Sequence, residues 1–343
     1  MTKVLLVASP LDPAISYEYH NFLKPMEGLG CEVVPFDFGV HMRAIGREGM
    51  NRELLSIAQR EKPDLVFFVP HTDQFVPDVV DEISRHTITL GYFFDDMWRV
   101  EYSRFWARHF TFVTTSDVNG LSKFRKDGFF NVIYSPFACN HNVYTRKELP
   151  KIYDVTFVGQ YHPQREWFIS RLKKSGIDVR IWGVGWPTGM LNSVDMVNVF
   201  NQSRINLNLS NCISWDLRYL TTPSRSIKNS LRAWREIVRS ITRPDVKTVE
   251  QVKGRHFEIN SCGGFQLSYY VEGLERLYAI GDEIALFTSP EDLVKKTHYY
   301  LKHADERDAI AQCGYERTLR EHTMEKRFQQ LFEAIAISSR RTG

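Results

Sequence analysis

The chain has 343 residues, enough for two domains of ordinary size that each bury a hydrophobic core. Hydrophobic residues make up 43% and charged residues 25%, which is typical of a globular protein and excludes a largely disordered chain. The first nine residues are too short for a signal peptide, and no apolar run is long enough to cross a bilayer, so we expect a soluble, cytoplasmic protein. The five cysteines are scattered outside any CxxC pair and indicate neither a disulfide framework nor a zinc site.

Charge is unevenly distributed along the chain. The net charge is +3, with −3 on residues 1–148 and +6 on residues 149–343. A basic C-terminal half suits an anionic ligand such as a nucleotide diphosphate, although ordinary scatter produces such a split equally well.

Short apolar runs alternate with helical spacing through the first half of the chain. The predicted strands are 3–8, 31–36, 64–69, 87–94, 110–115 and 131–134. The predicted helices are 17–26, 52–60, 76–85 and 117–126. Strands that alternate with helices predict a parallel sheet covered on both faces.

The pattern lapses near residues 136–152 and then restarts. The predicted strands are 154–158, 178–182, 205–209, 265–268 and 283–287, and the predicted helices are 164–174, 194–202, 257–261, 290–302, 305–320 and 323–336. We therefore predict an α/β fold of two doubly wound, Rossmann-like domains, 1–140 and 150–322, that face a central cleft. The segment 323–343 is predicted to be a C-terminal helix that could pack back on the N-terminal domain. In such sheets ligands bind outside the carboxyl ends of the strands.

Four segments of the C-terminal half occur in a recognisable order. They are YDVTFVG (153–159) with Arg165 six residues on, SRINLNLS (203–210), KGRHFEI (253–259) followed by CGGF (262–265), and IGDEI (280–284) leading to Asp292. This order resembles the CgeB-like, spore-maturation-type glycosyltransferases, relatives of the group 1 and group 4 glycosyltransferases. The resemblance covers most of residues 150–335. The N-terminal half matches more loosely, through VTTSD (113–117) and YSPFA (134–138).

The resemblance implies a GT-B fold. In that fold the C-terminal domain binds a nucleotide-sugar donor and the N-terminal domain binds the acceptor. It implies neither a GxGxxG motif, nor a DxD metal motif, nor a cofactor apart from the donor substrate.

Under this resemblance, Glu258 corresponds to the glutamate that holds the donor ribose. A carboxylate suits this role, since it can accept hydrogen bonds from two vicinal hydroxyls. The alternative is a helix-face glutamate paired with Arg255. Gly263 and Gly264 follow that helix, and they either let the backbone approach the ligand or cap the helix.

Cations and a glycine are predicted to surround the donor diphosphate. Gly159 ends a predicted strand and Arg165 opens the next helix, where bare N–H groups, the helix dipole and a guanidinium suit phosphate oxygens. Lys253 and Arg255 could stabilise the departing nucleoside diphosphate without a metal. For each cation the alternative is a solvated basic surface.

Asp95 and Asp96 follow the fourth predicted strand of the N-terminal half. One of them could be the general base for an acceptor hydroxyl. The pair could instead bind a metal, or cap the following helix. His71, after the third strand, is a weaker candidate for the base.

The segment 218–247 is rich in Arg and Lys and has a partial apolar face. It could be a basic amphipathic helix that contacts an acidic acceptor, nucleic acid or a membrane surface, and the last of these would place the protein peripherally at the membrane. The commoner explanation is a solvated surface insertion.

We therefore predict a metal-independent glycosyltransferase of the hexosyltransferase type. It would move a sugar from a UDP-, GDP- or dTDP-sugar to a hydroxyl of a saccharide, a protein or another acceptor. The alternatives are a sugar-nucleotide epimerase or hydrolase on the same scaffold and a non-catalytic sugar- or nucleotide-binding protein.

Overall fold

The computed structural model describes residues 1–14, 16–209 and 250–335, together with Arg235 and Val238. The chain divides into two compact units. Unit 1 comprises Met1–Asn140 and the chain from Thr323 on, and unit 2 comprises His141–His322. Apart from Arg235 and Val238, the basic segment 218–247 lies outside the described residues.

Unit 1 is built on a six-stranded parallel sheet. Its strands are β1 (Lys3–Ala8), β2 (Glu32–Asp37), β3 (Leu65–Phe68), β4 (Ile88–Gly91), β5 (Phe112–Thr115) and β6 (Val132–Tyr134). Their order is β2-β1-β3-β4-β5-β6, so the sheet reverses its direction of growth between β1 and β3. Every residue of β3 is buried, because helices cover both faces of a doubly wound sheet.

The helices of unit 1 alternate with its strands. They are α1 (Lys24–Gly28), α2 (Phe38–Glu61), α3 (Pro77–His86), α4 (Val100–Trp106) and α5 (Gly120–Lys126), with a π-helical turn at Tyr19–Leu23. The helix predicted at 52–60 is only the second part of α2. The helix begins at the end of β2, where the Asp37 carboxylate accepts from the N–H groups of Gly39 and Val40, and Gly46 (φ +74°) kinks it. The sequence pattern did not predict α4.

Unit 2 has a five-stranded parallel sheet. Its strands are β7 (Tyr153–Val158), β8 (Val179–Trp182), β9 (Ser203–Asn208), β10 (Gln266–Tyr269) and β11 (Ala285–Phe287). The order β11-β10-β9-β7-β8 reverses between β7 and β9, which matches the reversal in unit 1.

The described helices of unit 2 are α6 (Pro163–Lys174), α7 (Ser193–Gln202), α8 (Arg255–Ser261), α9 (Pro290–Lys302) and α10 (Ala304–Glu321), with a 3₁₀ turn at Leu274–Arg276. Phe157, Trp167 and Leu293 bring strand β7 and helices α6 and α9 into one hydrophobic core. The predicted doubly wound α/β class is confirmed for both units.

The last described helix returns to the first unit. Helix α11 (Met324–Ala334) places Met324, Phe328 and Leu331 in the core that contains β1 and β3. The N–H of Met324 donates to the carbonyl of Cys139 at 2.9 Å. Among the described residues, no helix combines the length and the apolar composition needed to span a membrane.

Candidate functional site

The carboxyl end of β7 lies where the sheet of unit 2 reverses its direction of growth. Gly159 follows this strand; its N–H donates to the carbonyl of Trp182 at 2.8 Å, and its carbonyl accepts from Nε1 of Trp186 at 2.9 Å. A Cβ at Gly159 would lie 2.8 Å from the Phe157 ring and 3.2 Å from Nη1 of Arg165. The absence of a side chain therefore lets the guanidinium of Arg165 approach the end of the strand.

Arg165 lies in the first turn of α6 and is half-buried. Its Nη1 donates to the carbonyl of Gln160 at 2.6 Å, and its guanidinium lies 5.4 Å from the centroid of the Phe157 ring. Burial lowers the pKa of Arg165 to about 10, with Glu250 acting in the opposite direction, so the group is charged at neutral pH.

Two buried polar atoms at this strand end have no hydrogen-bond partner among the described residues. They are Nε of Arg165 and Oε1 of Gln164. Because buried polar groups are normally satisfied, a donor and an acceptor left open together mark a place that a ligand or ordered water completes.

The N-terminus of α6 offers fewer N–H groups than the sequence suggested. Nδ1 of His162 accepts from the N–H of Gln164 at 3.3 Å, and Pro163 has no N–H. The N–H of Glu166 donates to the carbonyl of His162 at 3.0 Å. Anion contact at this end of the helix therefore depends mainly on the side chain of Arg165.

Helix α8 places Arg255 and Glu258 one turn apart on the same face. Nη1 of Arg255 lies 2.7 Å from Oε2 of Glu258, whose side chain is only 7% exposed. The same guanidinium contacts Sδ of Met196 at 2.9 Å and lies 5.1 Å from the centroid of the Phe200 ring. The ion pair named as the alternative is present, and an ionised carboxylate still has lone pairs for hydroxyl donors.

His256 anchors the beginning of α8 to the sheet. Its Nδ1 lies 3.1 Å from the N–H nitrogen and 3.0 Å from the carbonyl of Lys253, which precedes the helix. Its Nε2 lies 3.2 Å from the hydroxyl of Ser268 in β10. Burial lowers the pKa of His256 to about 4, so the imidazole is neutral at pH 7.

Gly263 and Gly264 end this helix. The N–H of Gly263 (φ +66°) donates to the carbonyl of Asn260 at 2.8 Å, and the N–H of Gly264 donates to that of Ile259 at 3.1 Å. These two bonds form a Schellman cap, in which a glycine takes the left-handed position. A Cβ at Gly264 would also lie 2.7 Å from Nδ2 of Asn206. Capping and packing therefore account for both glycines without a ligand.

A cavity of about 320 Å³ lies at the carboxyl edge of the unit 1 sheet and brings together His71, Asp95 and Asp96. It also contains Glu18 and Arg99, which the sequence analysis did not single out. Nothing in the local pattern around either residue distinguishes it from a surface charge. A larger cavity of about 760 Å³ lies at the amino edge of the same sheet and contains none of the predicted site residues.

His71 follows β3, on the edge of the sheet that doubly wound folds use for ligands. Its Nε2 lies 3.8 Å from Oε1 of Glu18, and its carbonyl accepts from Nη2 of Arg99 at 2.6 Å. Burial and then the charge of Arg99 lower the pKa of His71, so the imidazole is mainly neutral at pH 7 and can accept a proton. Burial raises the pKa of Glu18.

Asp96 joins the ends of two neighbouring strands. Its Oδ1 accepts from the N–H of Ser116 at 3.1 Å and from the hydroxyl of Ser116 at 2.7 Å, and its Oδ2 accepts from the hydroxyl of Thr115. Burial raises the pKa of Asp96, which is 2% exposed. Asp95 is half-buried, and its carbonyl accepts from the N–H of Arg99 at 3.0 Å in the turn that leads to α4.

No group of three His, Cys, Asp or Glu side chains is arranged to hold a metal ion in the part of the chain that the structure describes.

Comparison with known protein families identifies the second half of the chain. Residues 164–333, from α6 through most of α11, match the family model described as Glycosyl transferase-like. This stretch is a glycosyl transferase-like domain. It contains Arg165, Glu258 and the residues between them, whereas Gly159 lies just before it. Comparison with curated proteins gives no match.

Solved glycosyltransferase structures share the fold of the whole chain. Sucrose-phosphate synthase (tll1590) from Thermosynechococcus elongatus aligns with a TM-score of 0.65 and 8% identity over 98% of this chain and 100% of its own. Anabaena Alr3699/HepE, solved with UDP-glucose, aligns with a TM-score of 0.63 and 11% identity over 98% and 100%. AviGT4, a glycosyltransferase involved in avilamycin A biosynthesis, aligns with a TM-score of 0.60 and 13% identity over 97% of each chain. At these identities the likeness establishes the fold, and the predicted GT-B class is confirmed.

Proposed function

We propose that this chain is a metal-independent glycosyltransferase of the CgeB-like, hexosyltransferase type. The observation that carries the proposal is the family match over residues 164–333, which includes nearly all the predicted donor residues. Anabaena Alr3699/HepE has been solved with UDP-glucose and with UDP and glucose, which supports a nucleotide sugar as the donor. Unit 2 binds the donor, and unit 1 binds the hydroxyl that accepts the sugar.

The donor diphosphate is assigned to the carboxyl end of β7. Arg165 has a buried Nε with no partner among the described residues, and a guanidinium can bind two phosphate oxygens side by side. Gln164 contributes a buried Oε1 that can accept from a sugar or ribose hydroxyl. Lys253 and Arg255, at the start of α8, supply further positive charge for the departing nucleoside diphosphate, so that no metal is required.

The ribose is assigned to Glu258. Its carboxylate is held by Arg255 at 2.7 Å, which fixes the position of the acceptor oxygens before the donor arrives. A carboxylate fixed in this way can accept from two vicinal hydroxyls. Gly263 and Gly264 cap the end of the same helix.

The base is assigned to His71, with Asp95 as the second candidate. His71 is neutral at pH 7 and lines the 320 Å³ cavity, whereas the oxygens of Asp96 already accept three hydrogen bonds. In the transfer, the acceptor oxygen bonds to the anomeric carbon and the bond from that carbon to the diphosphate oxygen breaks. The hydroxyl proton passes to the imidazole, and the nucleoside diphosphate leaves with the electron pair.

Thermal unfolding with UDP-, GDP-, dTDP- and CMP-sugars tests the proposal, because a ligand that binds only the native state raises the melting temperature. We expect one of them to stabilise the wild type. Arg165→Gln should weaken this binding about tenfold or more, while Arg171→Gln, the same change later in α6, should leave it unchanged.

The products separate glycosyl transfer from the alternatives. Sugar transfer that needs an added acceptor supports a glycosyltransferase. Conversion of the donor without an acceptor would indicate an epimerase or hydrolase, and tight binding with no turnover would indicate a binding protein. Failure of all four nucleotide sugars to stabilise the protein would contradict the proposed donor.

A further inference from the structure

A cavity of about 310 Å³ lies at the amino edge of the unit 2 sheet. Its lining comes from residues that precede β7, from the end of α7 and the start of β9, from the residues between α8 and β10, and from α10. Gly159 and the proposed donor site lie past the carboxyl end of β7, at the other edge of the same sheet. The cavity is therefore separate from the proposed donor site.

The cavity carries an excess of positive charge. Its charged lining residues are Arg146, Lys147, Lys151 and Arg204 against Glu148 and Asp308, a net charge of +2. Arg204 is neutralised by Asp154, at 2.6 Å. Asp308 is already paired with Arg307, at 3.0 Å.

The other three cations are held by neutral oxygens. Nη1 of Arg146 donates to Oε1 of Gln312 at 2.6 Å. Nζ of Lys147 donates to Oδ1 of Asn198 at 2.8 Å, and Nζ of Lys151 donates to a backbone carbonyl, that of Asn201, also at 2.8 Å. Within the described residues, none of the three forms an ion pair with a carboxylate. Their side chains are thus positioned by hydrogen bonds to neutral oxygens, and the carboxylates of the lining, Glu148 and Asp308, are fewer than its cations.

The partial negative charge at the C-terminus of α8 offsets only part of this positive charge. Arg146 lies against Gly263, where a Cβ would come within 3.0 Å of its Cδ, and thus close to the C-terminus of the helix. A helix C-terminus carries about half of a negative charge, which a single cation more than offsets. Desolvation lowers the pKa of Lys151, with Asp308 opposing and the guanidinium groups of Arg307, Arg146 and Arg204 adding to the effect. The ammonium group of Lys151 therefore lies near the Asp308 carboxylate as well as near three guanidinium groups.

We propose that this cavity binds a phosphorylated anion, at a site separate from the glycosyl transfer described above and independent of it. The guanidinium of Arg146 can bind two phosphate oxygens, and the ammonium groups of Lys147 and Lys151 can each donate to another. An anion bound here neutralises cations that otherwise repel one another, which makes binding favourable at low ionic strength. Residues 146–151 belong to the segment that enters unit 2.

Isothermal titration of the wild-type protein with inorganic pyrophosphate at low ionic strength tests the site. The variant Arg146→Gln/Lys151→Gln should weaken binding by about tenfold to a hundredfold, because two charged hydrogen-bond donors are lost. The control Lys173→Gln/Lys174→Gln removes the same charge from the exposed end of α6, outside the cavity, and should bind as the wild type does. Raising the salt concentration should weaken binding further, since these charges are solvent-accessible.

Two results would overturn the inference. One is no pyrophosphate binding by the wild type at low ionic strength. The other is equal affinity in the wild type and the double variant, which would place the anion elsewhere, for example at the donor diphosphate position. Thermal unfolding checks that the double variant is folded. If the double variant does not fold, Lys147→Gln, which changes an exposed side chain, is measured in its place. Donor affinity is measured separately, in Arg165→Gln. A negative result at one site therefore does not change the conclusion about the other site.

Discussion

Acid should weaken the anchoring of α8, because His256 is buried in its neutral form. In the folded protein its pKa is about 4, against 6.5 for an unperturbed histidine, and burial is the main cause. Between these two pH values the unfolded chain binds a proton that the folded chain does not. The free energy of unfolding contributed by this residue is therefore fully present above pH 6.5 and is lost as the pH falls towards 4.

The size of this loss follows from the two pKa values. The full difference corresponds to about 3 kcal/mol, and about 2 kcal/mol of it is lost between pH 7 and pH 5. Other groups also titrate between pH 7 and pH 5. The loss of unfolding free energy over this range must therefore be compared between proteins with and without the His256 imidazole. His256→Gln removes the titrating group and keeps a side chain that can form hydrogen bonds.

Urea unfolding at pH 7 and pH 5 measures this difference. The wild type should lose about 2 kcal/mol more than His256→Gln between the two pH values. His298→Gln, which removes an exposed histidine on α9, should behave as the wild type does. Equal losses in the wild type and His256→Gln would show that the buried imidazole does not set this pH dependence.

Four further predictions concern the two candidate sites. Glu258→Gln should lower donor affinity about tenfold or more by calorimetry, because a charged acceptor is lost, and unchanged affinity in a folded variant would exclude the ribose role. His71→Gln should slow transfer by about 10²–10⁴-fold at unchanged donor affinity, and Asp95→Asn should slow it less; a wild-type rate in His71→Gln would place the base elsewhere. Asp96→Asn should reduce the free energy of unfolding in urea by about 1–3 kcal/mol, since a buried acceptor of three hydrogen bonds is altered, and full stability would argue against this structural role. Transfer should persist in EDTA, and its complete loss with recovery in Mg²⁺ would disprove metal independence.

The sequence by itself determined the class of fold. The apolar runs of β1 and β3 have few polar interruptions, which is what a strand buried on both faces requires, and helical spacing follows each of them. The order of segments from YDVTFVG to IGDEI indicated a glycosyltransferase before any geometry was known. The hydrophobic pattern and the family segments are both local signals, because each depends on residues within a short stretch of the chain.

Only the tertiary structure decided which of these residues meet. Glu18 reaches His71 because β1 and β3 are neighbours in the sheet, and Asp96 binds Thr115 and Ser116 because β4 lies next to β5. Hydrophobic periodicity gives the existence of a strand and not its neighbours, so these contacts between distant parts of the chain were not predictable. The position of Arg146 at a cavity was not predictable for the same reason. Arg146 faces that cavity only because the end of α8, the start of β9 and α10 come together there. Strand order and helix packing bring Glu18 next to the proposed base His71, link β4 to β5 through Asp96, and place Arg146 at a cavity.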